Sequence, residues 1–122
     1  MLTVNKMSRI PIYEQIIEGI KREILKDVLK PNDMLPSVRE LAFSLSTNPN
    51  TVQRAFAELE EMGVATSSPG IGRYVSENAK EILQNQLKGR IWELEEIAKA
   101  LKDGGISFEE AVEALKKGYE YN

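Results

Sequence analysis

Isoleucine recurs every four residues near the start of the chain, and this spacing predicts an amphipathic helix. The helix opens at Pro11, because a proline in the first turn loses no hydrogen bond, and it fades near Lys26 or Asp27. Its apolar stripe consists of Ile12, Ile16, Ile20 and Ile24, widened by Tyr13, Ile17 and Leu25.

A turn and a capping box separate this helix from a second one. Pro31-Asn32 favours a type II turn, since asparagine tolerates a positive φ. Ser37 and Glu40 are spaced as a capping box, so a helix starts there and continues to about Leu45. Its apolar face consists of Val38, Leu41, Ala42 and Leu45.

A third helix begins after a short break, with Asn48 as its N-cap and Pro49 in its first turn. It runs to about Met62, and Gly63 supplies a left-handed C-cap. The residues predicted to be buried are Val52, Ala55, Phe56 and Leu59. Residues 64–67 and 73–76 then read as two short strands around a glycine-rich turn, which predicts a β-hairpin.

From Asn78 onward the pattern predicts one long helix with the spacing of a coiled-coil seam. Gly104-Gly105 ends it, and residues 107–110 form a second capping box that opens a final helix. A helical hairpin of this size rarely has enough core to be stable alone, so a second copy of the chain is expected to cover it. The candidate dimerisation residues are Leu87, Ile91, Leu94, Ala98 and Leu101.

The composition narrows the function classes. The 122 residues suit one domain with a small appendage, here residues 1–77 and 78–122. The chain has no cysteine and no histidine, so thiolate, imidazole and common zinc chemistry are excluded, and no cofactor, metal site or catalytic set is expected. No apolar stretch approaches the roughly 20 residues that a membrane span needs, which predicts a cytoplasmic protein.

Two helices joined by a tight turn and followed by a hairpin predict a winged helix-turn-helix, a mainly α fold with a small β-hairpin. On the third helix Asn50 and Arg54 lie opposite the buried face, flanked by Thr51 and Gln53. Amides, a hydroxyl and an arginine can read base edges in the major groove. From spacing alone, the same residues could equally form a solvated polar face.

Further candidates lie outside this helix. Arg39, two residues after Ser37, can hold a phosphate or reach a base. Gly70 and Gly72 permit close approach of the hairpin tip to the sugar-phosphate backbone, beside the charge of Arg73. The net charge of −3 gives no global attraction to DNA, so any binding depends on local geometry.

Several ordered motifs resemble the winged helix-turn-helix of GntR-family transcriptional regulators over about residues 10–76, and the short helical tail is similar to the YtrA subfamily. The motifs are Pro11-Ile12-Tyr13-Glu14-Gln15-Ile16, residues 35–42, residues 48–52 and residues 70–75. The resemblance implies that the tail is a dimerisation element and that the second helix, the start of the third helix and the wing contact DNA. With the residues identified above, the candidate contacts are Ser37, Arg39, Asn48, Asn50, Thr51, Gln53, Arg54, Gly70, Gly72 and Arg73.

The sequence departs from the family at Pro49, where many relatives have arginine, and at Pro69 in an often basic wing tip. Fewer charge contacts would then make Arg39, Arg54 and Arg73 more important. Asp27 and Asn32 replace common glycines and should alter only the loop after the first helix.

The sequence therefore predicts a homodimeric transcriptional regulator, most simply a repressor, that binds a palindromic operator in double-stranded DNA. The alternative is a winged-helix protein-interaction module that does not bind DNA, which the pI of about 5.1 favours. A small-molecule effector would bind between the winged domain and the tail, near Tyr74, Trp92 and Tyr119. These aromatic residues are more simply explained as core or dimer contacts.

Overall fold

The computed structural model describes residues 2–121 and confirms the expected class, mainly helical with a two-stranded antiparallel hairpin. The chain divides into two compact units, of which the first ends at Asn85 and the second begins at Gln86. The elements are α1 (Ile12–Leu25), α2 (Val38–Leu45), α3 (Pro49–Glu61), β1 (Ala65–Ser68), β2 (Gly72–Val75), α4 (Ala79–Lys88), α5 (Ile91–Asp103) and α6 (Phe108–Tyr119).

The core of the first unit joins α1, α2 and α3. Ile16, Val52 and Phe56 are completely buried, as the apolar spacing of α1 and α3 predicts. Each such side chain contributes about 2 kcal/mol by leaving water. Helix α1 begins one residue later than expected, because Pro11 is its N-cap rather than a first-turn residue.

Local capping fixes the ends of α2 and α3. The Ser37 hydroxyl accepts a hydrogen bond from the Glu40 amide, and the Glu40 carboxylate accepts one from the Ser37 amide, both at 3.1 Å. Helix α2 ends at Leu45, and its C-cap residue Ser46 has a left-handed φ of 51°. Asn48 then caps α3 by accepting from the Asn50 amide at 2.8 Å, and Pro49 takes the first helical position. The predicted helix-turn-helix is confirmed.

The wing is a hairpin in which Ala65 pairs with Val75 and Ser68 with Gly72. The loop before α2 adds to its open edge, because Met34 forms a bridge with Tyr74. Asn32 has a φ of 70° within a turn closed by the Asp33 amide and the Lys30 carbonyl, at 3.0 Å, as expected for a type II turn. This turn directs the following residues along β2, where Met34 pairs with Tyr74.

The single long helix predicted from Asn78 is wrong. A turn at Gly89 and Arg90 separates α4 from α5. Glycine inside a helix costs about 1 kcal/mol relative to alanine, and the Arg90 amide instead donates to the Leu87 carbonyl at 2.9 Å. The predicted seam therefore lies on two helices rather than on one.

The start of α4 belongs to the first unit. Ala79 and Leu83 are buried in its core, which is why that unit extends past residue 77 to Asn85. In the second unit, the Ser107 hydroxyl accepts from the Glu110 amide at 3.1 Å, which supplies one of the two hydrogen bonds of the predicted second capping box.

Replacing Glu40 by glutamine should lower the free energy of unfolding at neutral pH, because the carboxylate caps α2. The hydrogen bond from the Ser37 amide lowers the pKa of Glu40 in the folded chain. The stabilisation is therefore present above the unfolded-state pKa and is lost as pH falls through the folded-state pKa. Urea unfolding followed by circular dichroism at neutral and acidic pH measures this change.

Glu61→Gln is the matched control, since Glu61 is an exposed carboxylate outside any capping box. It should show no comparable difference between the two conditions. A Glu40→Gln deficit that persists in acid would contradict the capping argument.

Candidate nucleic-acid interface

Helix α3 presents a polar face to solvent along its N-terminal half. Asn48, Asn50, Gln53 and Arg54 are exposed and Thr51 is partly exposed. The opposite face is completely buried through Val52, Ala55, Phe56 and Leu59. The structure thus brings together the α3 candidates that the sequence predicts, and their chemistry suits base edges.

Arg39 lies in the first turn of α2 with its side chain exposed. Within residues 2–121 it has no ion pair, hydrogen bond or ring contact, so its donors remain available for a phosphate. The Ser37 hydroxyl is already an acceptor in the capping box. It can still donate, as a serine hydroxyl carries one hydrogen.

The wing tip requires glycine at two positions. Gly70 has a φ of 77° and Gly72 a φ of 118°, which L side chains rarely adopt. A Cβ at Gly70 would meet nothing within 4 Å, whereas one at Gly72 would lie 3.1 Å from the Met34 Cε. The exposed, uncharged tip can therefore approach another backbone closely.

Arg73 is not free at the wing, contrary to the simplest expectation for a phosphate contact. Its Nε lies 2.5 Å from the Glu60 Oε1, and its Nη2 donates to the Gln53 Oε1 at 3.4 Å. Its guanidinium carbon lies 5.3 Å from the centre of the Phe56 ring. Only 23% of the Arg73 side chain is exposed. Arg73 therefore fastens the wing to α3.

Arg54 contacts Tyr13, which the sequence pattern assigns only to the apolar stripe of α1. Its guanidinium carbon lies 3.7 Å from the centre of the Tyr13 ring in α1, and its Nε lies 3.8 Å from the Glu58 Oε1. Burial raises the pKa of Tyr13, and a hydrogen bond to Glu14 adds to the shift while Arg54 opposes it. The sequence carries no local signal for this contact, because α1 and α3 meet only in the folded chain.

The tail carries a second candidate surface, which is apolar. Helices α5 and α6 contain no buried residue. Leu87, Ile91 and Leu94 are each about half exposed, at 51%, 53% and 48%; Ala98 is exposed and Leu101 is partly exposed. Most of the predicted seam is therefore exposed in the single chain.

The described residues offer no metal-binding cluster of three or more histidine, cysteine or acidic side chains. Among the same residues, no helix combines the length and apolar character needed to cross a bilayer.

Residues 12–75 match the family described as bacterial regulatory proteins, gntR family, a segment that holds α1 to β2. The chain is 41% identical over 121 residues to the HTH-type transcriptional repressor YtrA of Bacillus subtilis, covering 96% of this chain and 91% of that protein.

Two solved structures extend the comparison. A GntR family transcriptional regulator from Listeria monocytogenes has a TM-score of 0.74 and 35% identity, with 93% of this chain and 98% of that chain covered. AraR(DBD) in complex with operator ORE1 has a TM-score of 0.54 and 25% identity, with 60% of this chain and 89% of that chain covered.

Arg73→Ala should lower the free energy of unfolding by about 1 kcal/mol, because it leaves Glu60 without its ion-pair partner. Arg39→Ala is the matched control and should change stability by less than about 0.5 kcal/mol, since the side chain is exposed and unpaired. Urea unfolding of both variants measures the difference. Equal losses would contradict the role of Arg73 in attaching the wing.

Proposed function

The chain belongs to the gntR family of bacterial regulatory proteins, and we propose that it is a transcriptional repressor that binds a palindromic operator as a homodimer. The observation that carries the proposal is the exposed polar face along the N-terminal half of α3. Asn50, Gln53 and Arg54 project from a helix whose opposite face is fully buried, so the backbone that carries them is held in place. In this proposal, that face enters the major groove.

The candidate residues divide into different roles. Arg54 and Gln53 read base edges, since guanidinium and amide groups can each make paired hydrogen bonds to a base. Arg39 holds a phosphate, for which its unpaired guanidinium is suited. Arg73 acts indirectly: it holds the wing so that Gly70 and Gly72 can approach the backbone.

Two similar proteins support a DNA-binding repressor despite the net charge of −3. The related AraR(DBD) was captured with operator ORE1. The similar Bacillus subtilis protein is named a transcriptional repressor, which favours repression here. A protein-interaction module without DNA binding is the competing function, and the absence of any selected duplex would favour it.

The homodimer follows from the half-site geometry and the tail. One winged domain presents a single α3 and covers one half-site, whereas two domains can match half-sites roughly 34 Å apart. Joining them makes the second contact effectively intramolecular and raises affinity. The exposed apolar residues of α5 supply a surface that a second copy would cover.

Arg54→Ala tests the base-reading role. Full-length protein should select a palindromic duplex from a randomised library and bind it in a mobility-shift assay at stated salt concentration. The substitution should weaken binding to that duplex by about 1 to 3 kcal/mol and relax preference at one position in each half-site. Anisotropy titrations with the selected and scrambled duplexes measure both effects.

Glu61→Ala, an exposed change on the same helix, is the control and should leave discrimination unchanged. If Arg54→Ala preserves the ratio of selected to scrambled affinity, Arg54 does not read bases. If the wild-type chain selects no duplex, the DNA-binding proposal itself is wrong.

Leu94→Glu tests the dimer. A charge in a covered apolar surface costs several kcal/mol, so the full-length variant should sediment as a monomer and bind the selected duplex far more weakly. Ala100→Glu places the same charge at an exposed α5 position outside the predicted seam and should stay dimeric. A dimeric Leu94→Glu variant with normal affinity would contradict this interface.

A further inference from the structure

Arg54 contacts two groups that belong to different helices. The guanidinium carbon of Arg54 lies over the Tyr13 ring, in the first turn of α1, at a van der Waals distance of 3.7 Å from the ring centre. Glu58, one turn along α3, lies 3.8 Å from its Nε. The Arg54 side chain nevertheless remains 60% exposed.

We propose that Tyr13 is a positioning residue that sets the orientation in which Arg54 meets DNA. The inference rests on the proposed function, in which Arg54 contacts a base. A ring against one face of a guanidinium leaves its donor edge uncovered, because the N–H groups lie in the guanidinium plane. No hydrogen bond within residues 2–121 uses the Nη atoms of Arg54, so that edge is available for a paired contact.

Preorganisation gives this contact its effect on affinity. A solvent-exposed arginine has many rotamers and loses that freedom when it binds. The Tyr13 ring reduces this freedom before DNA binds, and the ion pair with Glu58 reduces it further. Because the ring belongs to α1, the direction of Arg54 depends on the packing between α1 and α3.

The two neighbouring α3 residues contact different elements of the fold. Gln53 accepts a hydrogen bond from Arg73 of the wing, whereas Arg54 lies against α1. Arg39 has no comparable restraint among the described residues. The contact with the Tyr13 ring therefore distinguishes Arg54 from an arginine that acts as a mobile charge.

The ring can be tested separately from the hydroxyl with Tyr13→Phe and Tyr13→Leu in the full-length protein. The probes are the duplex that the wild-type chain selects from a randomised library and a scrambled duplex of equal length and composition. Tyr13→Leu should weaken binding to the selected duplex by roughly three- to tenfold and lower discrimination between the probes. Tyr13→Phe should remain within about twofold of wild type, since it keeps the ring.

A double-mutant cycle identifies the route of the effect. In an Arg54→Ala background, Tyr13→Leu should cause no further loss of discrimination, because the group that it positions is absent. A purely structural role would lower the melting temperature and leave the ratio of the two affinities unchanged. Additive losses, or equal losses on both probes, would overturn the inference.

Tyr13→Met provides a second ring-free variant if the leucine variant does not fold, because methionine is flexible and favours helices. Normal discrimination by folded ring-free protein, together with a loss in Arg54→Ala, would overturn the inference while keeping the proposed function. If Tyr13→Phe lowers discrimination as much as Tyr13→Leu does, the effect comes from the hydroxyl, and the inference that the ring positions Arg54 is wrong. Failure of the wild-type chain to select any duplex would contradict both the proposed function and this inference.

Discussion

The packing of α3 against α1 and α2 is the constraint on which the rest of the first unit depends. Val52, Ala55 and Phe56 are completely buried, so α3 cannot rotate about its axis without exposing them. One residue corresponds to about 100° of helix rotation, and such a change would turn Arg54 away from its present face. The core therefore determines which polar side chains the protein presents.

Local sequence signals predicted most of this arrangement, because caps and prolines act over a few residues. Ser37 with Glu40, and Asn48 with Pro49, mark helix starts that the structure confirms. The turn at Gly89 was missed because apolar spacing continues across it, and one glycine is a weak helix breaker. The contacts of Arg54 and Arg73 require tertiary packing. Residue spacing could predict which helix face is polar, but it could not predict the partners of these two side chains.

Two glutamates of α3 pair with arginines at the proposed DNA-binding surface. Glu58 and Glu60 of α3 each lie close to an arginine, at 3.8 and 2.5 Å. Such pairs leave less unpaired positive charge for sequence-independent attraction to phosphates. In the proposed DNA complex, discrimination therefore depends more on the fixed geometry of a few side chains than on the total charge of the chain.

The contact between Gln53 and Arg73 also constrains how this regulator could diverge. Gln53 is both a proposed base reader and an acceptor for the arginine that fastens the wing. A mutation that alters base preference at position 53 consequently perturbs a second element at the same time. New operator preferences should arise through epistatic combinations at positions 53, 60 and 73, and the order in which those substitutions accumulate would limit the accessible evolutionary paths.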